Sequence, residues 1–325
     1  MKALSYLLAL IIPISVYISL TFGGVFSYTA LIVAFVFVPI FDQLLPSVED
    51  LEPELKKDSV MDSILYLVGF FHLYLLYIFV TGFSIDEPLW IIIGKTLSMG
   101  ISCGSIGINV AHELGHRKEK HHIASAFLLL ATSLYTQFYI EHNKGHHRHV
   151  ATLKDPATAR LNETVYAFIF RSAFGTFMGA YKLDRKMFFV GQGLQVSLVL
   201  LIYLTCGLYA ALGFVGAALF GAFDLEVVNY IEHYGLLRKT NPSGRPEKVR
   251  PHHSWNSNHY LGRKILFELT RHSDHHAYAA KPFYDLRSYN EAPNLPAGYP
   301  AMMLLSLVPP VFFRVMNPKV KSLDY

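Results

Sequence analysis

Six apolar stretches constrain this chain more than any other feature. They run over residues 3–22, 25–45, 64–82, 89–111, 187–204 and 206–223. The hydrocarbon core of a bilayer is crossed by about 20 helical residues, so each stretch is long enough or nearly so to span. A span in lipid has no water to satisfy its backbone, so it must be a helix. The expected fold is therefore an all-α integral membrane protein with six transmembrane helices. Lys2 and the first stretch resemble the start of a signal peptide. No small-residue cleavage site follows, and a second apolar run begins at once, so the first stretch reads as a retained span.

Charge distribution orients the bundle. With the N-terminus inside, the outer connections are Gly23-Gly24, 81–88 and Thr205-Cys206, and none contains Lys or Arg. Lys95 is the only basic residue not on the inner side. Basic residues stay cytoplasmic during insertion. Both termini, the loop 46–59, the segment following His112, the segment 150–186 and a cap over 224–325 are thus expected in the cytoplasm, within one membrane-embedded domain spanning 1–325. The stretch 123–140 is also apolar, but a histidine cluster flanks it on each side. If both clusters feed one metal centre, this stretch must dip in and return, or lie buried against the bundle. The run 299–313 is shorter and holds Pro309-Pro310, so it reads as interfacial or packed on the cap. The stretch 239–251, rich in Pro, Gly and basic residues, reads as an ordered loop.

Composition removes other classes. Charged residues are 16% and hydrophobic ones 52%, against roughly 25% charged in soluble domains. A disordered chain would not carry so much apolar surface, and a net charge of +4 is too small to imply a nucleic-acid partner. Two cysteines allow neither a disulfide framework nor a four-thiolate metal site. Cys103 and Cys206 lie in apolar runs and read as buried small hydrophobes.

Histidine is the anomaly, with 16 in the chain. The first cluster is His112-Glu113-Leu114-Gly115-His116, the second Glu141-His142-Asn143-Lys144-Gly145-His146-His147-Arg148-His149, the third Arg271-His272-Ser273-Asp274-His275-His276. Asn229-Tyr230-Ile231-Glu232-His233-Tyr234-Gly235-Leu236 directly follows the last span. Histidines four apart on a helix lie about 40° from one another and can share a metal. His112 to His116 also matches H-E-x-x-H, in which the glutamate of a zinc protease is the general base. Such a protease needs one more ligand, usually an Asp in a second motif. The nearest candidate, Asn241-Pro242-Ser243-Gly244, lacks it, and the other histidines would be left without a use.

With these clusters the chain resembles the integral-membrane non-haem diiron oxygenases, and among them the alkane 1-monooxygenases. The resemblance rests on the three histidine boxes, the Asn229 to Leu236 element and Ser254-Trp255-Asn256-Ser257-Asn258, and covers nearly the whole chain. Fatty-acyl desaturases share the boxes but usually space the second as H-x2-HH. The resemblance implies O2-dependent terminal hydroxylation of medium-chain n-alkanes, two iron ions, and electrons from rubredoxin and its reductase. It also implies a bacterial inner membrane. Some relatives carry a rubredoxin fused at the C-terminus. The implied iron ligands are His112, His116, His142, His146, His147, His233, His272, His275 and His276. On an ideal helix His147 lies about 140° from His142, and His149 only about 20°, so the choice of His147 rests on the resemblance. His121, His122, His252, His253 and His259 are candidates for supporting or surface roles. His72, alone in the third span, reads as a bonded core histidine, with a pocket role as the alternative.

Imidazole suits iron and binds it as a neutral ligand. An all-histidine site leaves the metal charge uncompensated. The sequence places a carboxylate beside each cluster, namely Glu113, Glu141, Glu232 and Asp274, as expected partners that orient imidazoles. Zinc would fit too but has no redox chemistry. A hydrocarbon could enter from lipid and reach the irons end first. The fourth span offers Ile101, Gly104, Ser105 and Ile108 on the way to His112. Gly100, Gly104 and Gly107 either widen that route or let helices pack closely. The chain has no flavin or nicotinamide fingerprint, so electrons must come from a partner. Arg117, Lys118, Arg245, Lys248 and Arg250 could form a basic docking patch for an acidic carrier.

Overall fold

The computed structural model describes residues 3–47 and 59–323, and most of the acidic loop 46–59 lies outside the described residues. Helices follow in the order α1 (Leu4–Phe22), α2 (Gly24–Leu44), α3 (Val60–Thr81), α4 (Leu89–Gly115), α5 (Lys120–Thr132), α6 (137–149), α7 (Val165–Leu183), α8 (Arg185–Cys206) and α9 (Leu208–His233). The short helices α10 (Tyr260–Ile265), α11 (His272–Ala277), α12 (Tyr299–Ser306) and α13 (Pro309–Lys321) belong to the C-terminal cap. The described residues contain no strand. Among the described residues six helices, α1 to α4, α8 and α9, are long and apolar enough to cross a membrane.

The spans are not equivalent. In α4 and α9, 56% of the apolar window is buried, against 22% in α2 and α8. The two most buried helices are thus the centre of the bundle, and they carry His112 and His233. Small residues bring them together. A Cβ on Gly104 would lie 2.7 Å from Asp224 Oδ2 and 3.2 Å from Gly221 O, and one on Gly221 would lie 2.5 Å from Cys103 Cβ. Close backbone approach through glycine is a common device of membrane helix packing. One residue, Gly207 at φ +88°, separates α8 from α9. The left-handed region suits glycine there.

Two helices extend past the apolar stretches. α4 continues to Gly115 and α9 to His233, because the polar residues at their C-terminal ends are buried in protein rather than dissolved in lipid. Cys206, at the end of α8, is only half-buried, unlike Cys103; with α8 largely exposed, the end of its apolar run faces outward.

The stretch 123–140 is no single helix. α5 stops at Thr132, the chain turns over 133–136 with Leu134 at φ +49°, and α6 runs back. Thirteen residues in α5 reach about 20 Å, short of a crossing. The turn is held by Gln195 of α8, whose Oε1 accepts from Thr136 N at 2.8 Å. His72 bonds Ser102 Oγ at 2.8 Å and Thr132 Oγ1 at 2.9 Å, tying α3 and α4 to the hairpin as a bonded core histidine.

Three segments adopt the wider π turn: Val33–Phe37 in α2, Cys103–Ile108 in α4 and His142–His146 in α6. Such bulges shift the phase of every later side chain on the helix. The cap closes over this end of the bundle. Trp255 Nε1 donates to Tyr234 O at 2.9 Å, and Ser273 N donates to Asn256 Oδ1 at 2.8 Å. The Trp255–Asn258 stretch thereby ties the end of α9 to the third histidine box.

Candidate metal centre

Nine histidines from four chain segments converge at the C-terminal ends of α4 and α9. They fall into two sets. One is His112, His116, His142, His147 and His275, the other His146, His233, His272 and His276. All nine turn Nε2 inward. In the first set the nitrogens form a closed ring: His112–His116 3.3 Å, His116–His142 3.1 Å, His142–His147 3.0 Å, His147–His275 3.1 Å and His275–His112 3.0 Å. In the second they run His146–His276 3.1 Å, His276–His272 2.8 Å and His272–His233 3.1 Å. Ligand nitrogens about 2.1 Å from one ion and at right angles are about 3 Å apart. Both sets thus have the nitrogen spacing of a metal site.

The π turn explains His147. Its backbone N–H bonds to His142 O, five residues back, so five residues complete about one turn and the two side chains project together. His149, nearer on an ideal helix, lies outside both sets.

Electrostatics favours a cation. Burial first, then neighbouring imidazoles, holds His142, His147, His272, His275 and His276 well below the ordinary histidine range. The same causes push His116 down to about 4. Neutral imidazoles keep the lone pairs a metal needs. Lone pairs that converge on one point repel each other unless a cation lies among them. Among the described residues, Nδ1 of His147, His233, His272 and His276 is buried without a partner.

The carboxylates divide. Glu232 Oε2 approaches His272 Nε2 at 3.2 Å, so this side chain faces the same point as the second set rather than the outside of a ring. Glu113 accepts from Arg117 (Nε 3.1 Å and a terminal nitrogen 2.7 Å) and from Phe283 N at 3.3 Å. Asp274 accepts from Lys281, Arg287 N and Tyr289. Neither orients a histidine ring; both brace the cap, because a cation lies closer to each than an imidazole does. Glu141 is buried, and burial, then repulsion from Asp155, pushes its carboxyl up to about 8.

The sequence reading missed Asp155. Both its oxygens lie 3.0 Å from His146 Nδ1. Burial opposes the charged pair, but the mutual attraction outweighs it. His146 is raised and Asp155 lowered. The signal was an acid just beyond the second box, Asp155 before Pro156.

The other candidates lie outside both sets. His122 Nδ1 bonds Tyr66, His259 bonds Ser257 and Gln43, and His121 is exposed. His252, His253 and Glu247 form a third, smaller group. There His253 Nδ1 accepts from Arg250 N at 3.0 Å, leaving its proton on Nε2, 3.3 Å from Glu247. That arrangement is a loop clasp.

An apolar cavity of about 850 Å³, its mouth included, ends on His112, His142 and His272. All three π segments contribute to its wall, through Ala34, Phe35, Gly104, Ser105, Ile108 and His142. Gly104, Ser105 and Ile108 line it as expected. Ile101 does not: it is fully buried in the helix core, because the π turn after it rotates the two halves of α4 out of phase.

Residues 88–306 match the sequence profile of the fatty acid desaturase family. Alkane 1-monooxygenase 1 of Alcanivorax borkumensis is 39% identical over 304 residues, 87% of this chain and 75% of that protein. Alkane 1-monooxygenase of Ectopseudomonas oleovorans is 37% identical, over 91% of this chain and 79% of its own length. The xylene/toluene monooxygenase hydroxylase component of Pseudomonas putida is 28% identical, over 74% and 68%.

Proposed function

The chain belongs to the fatty acid desaturase family, together with the alkane 1-monooxygenases, and on that premise we propose that it hydroxylates the terminal carbon of medium-chain n-alkanes at a diiron centre, with electrons from rubredoxin. The observation that supports this reading is the meeting of two features: nine inward imidazole nitrogens in two sets, and an apolar cavity that ends on them.

Iron bound by these histidines would supply the electron transfer and oxygen activation that breaking a terminal C–H bond requires. His112, His116, His142, His147 and His275 would hold one ion, and His146, His233, His272 and His276 the other. Asp155 fixes the ring of His146 and lends negative charge, as outer partners of metal-bound histidines do. Glu232 adds a carboxylate at the second set, offsetting charge that neutral imidazoles leave. The cavity wall offers a methyl group nothing to grip. It selects the terminal carbon by presenting the chain end first and excluding water. We place the protein in a bacterial inner membrane with both termini and the cap in the cytoplasm, consistent with its basic inner loops.

Metal analysis combined with product analysis tests the reading. Two irons per chain and a primary alcohol from n-octane are expected. One zinc would overturn it, and an alkene product would move the chain to the desaturases.

A further inference from the structure

The far end of the cavity holds a group that terminal hydroxylation does not use. Asp224 lies within the span α9, is only 6% exposed, and lines the cavity. The other buried carboxylates nearby are bonded: Glu226 accepts from Tyr135 at 2.6 Å and Asp42 from Gly262 N at 2.9 Å. Among the described residues no group bonds the Asp224 carboxyl. A buried polar group without a partner is costly, and an ionisable one inside a membrane span marks function by default. Gly104 makes room for it, since a Cβ there would meet Asp224 Oδ2.

Asp224 also stands at a defined depth. It precedes His233 by nine residues and faces Gly104, which precedes His112 by eight, so it lies roughly 12–14 Å along the helices from the histidines. Ile108, Leu225 and Val228 fill the wall between. The cavity therefore has histidines at one end, a largely apolar middle that also carries Ser105, Asn109 and Asn229, and an unbonded carboxyl at the other end.

We propose that Asp224 is a specificity residue, and that the cavity prefers hydrocarbon chains bearing an uncharged oxygen group at the end remote from the methyl that is hydroxylated. The inference rests on the hydroxylase reading above. The reaction is unchanged: one C–H bond becomes C–OH, the second oxygen atom of O2 leaves as water, and the redox partner supplies two electrons with two protons from solvent. A site that offers a hydrogen bond discriminates strongly against a ligand unable to make it.

Membranes containing the full chain, supplied with rubredoxin and its reductase, would be given n-alkanes and 1-alkanols of matched length across a series. The ratio of kcat/KM for alkanol over alkane should peak at one chain length, at about tenfold, the worth of one hydrogen bond. Asp224→Leu should bring that ratio close to one and raise kcat/KM for the n-alkane. Asp224→Asn, which keeps a hydrogen-bonding group, should keep the peak. Independently of turnover and of any variant, the 1-alkanol of the peak length should raise the Tm of the solubilised parental protein more than the n-alkane does. A ratio without a peak, a peak that survives Asp224→Leu, or equal Tm shifts would overturn the role of Asp224 while alkane hydroxylation stands. If the parental membranes insert oxygen into neither substrate, the hydroxylase reading fails and this inference with it.

Discussion

Asp155 grips His146 from behind: both carboxylate oxygens lie 3.0 Å from Nδ1, while Nε2 of the same ring faces His276 at 3.1 Å. The contact fixes the tautomer, placing the proton on Nδ1 and the lone pair on the metal side. Thr158 Oγ1 and Ala157 N also donate to Asp155, at 2.6 and 3.0 Å. Removing an outer partner of this kind typically costs 10–100-fold in metal affinity or activity. Asp155→Ala should therefore release iron to a chelator about 10–100 times faster than the parent. Asp155→Asn, which still accepts from His146 but carries no charge, should fall between. Iron retention equal to the parent in Asp155→Ala would remove Asp155 from the centre.

The second box gives a sharper contrast. His147 reaches the first set through the π turn, and His149 does not. His147→Ala should lose most activity together with iron. His149→Ala should keep both, because that ring lies only half-buried outside the cluster. The reverse pattern, read by metal analysis on the two purified variants, would show that the turn relaxes to ideal helix when metal binds.

The contrast also shows what a sequence conveys. Span positions were legible because lipid admits only long apolar helices, and the histidine boxes because nine clustered imidazoles have few other uses. Phase was not. A π bulge adds a residue to a turn without any residue type that announces it, so it brought His147 in and turned Ile101 away. Nor was the direction of a carboxylate. Glu113 and Asp274 sit beside the clustered histidines in sequence yet reach for Arg117 and Lys281, since the nearest cation wins. Asp155 and Glu232 reach the histidines because the chain turns back at Asp155 and α9 runs on past its apolar stretch.

Acid should act on the cap through Glu268. This carboxylate is fully buried against Arg263, Lys264 and Arg271, with nitrogen–oxygen distances of 2.7, 2.9 and 3.2 Å. Burial alone would raise its pKa, but the three cations outweigh it and push it down to about 2. A carboxyl whose folded pKa is depressed contributes stability that is present above the unfolded value and lost as pH falls through the folded one. That window runs from about 4.5 to 2. Glu268→Gln removes the charge at every pH and leaves buried cations uncompensated, a change worth about 3–5 kcal/mol. The Tm gap between parent and Glu268→Gln should be wide at pH 6 and should narrow below about 4.5, where the unfolded parent takes up the proton that the folded parent still excludes. A gap independent of pH down to 3 would mean that the ionised Glu268 carboxylate is not what stabilises the cap.

On the proposed reading an electron donor docks on the cap, and the structure narrows the basic surface available to it. Arg117 is engaged by Glu113 at 2.7 Å and Asp62 at 3.3 Å, so its charge is largely spent within the protein. Arg245, Lys248 and Arg250 are exposed, as is Lys239 on the same loop. That loop is clasped to the cap by His253 and Glu247, which gives the charges a fixed placement. Exposed rim charges act mainly on association rate and its salt dependence, since a Debye length near 10 Å at 0.1 M salt screens them in the bound state. Reversing Lys248 and Arg250 to Glu should slow turnover with limiting rubredoxin and flatten its dependence on ionic strength. Iron content and the position of hydroxylation should not change, because neither residue lies in the histidine sets or lines the cavity. Steady-state rates at 20 and 300 mM salt would decide it. Parental rates with parental salt dependence in the double variant would place donor docking on another part of the cap.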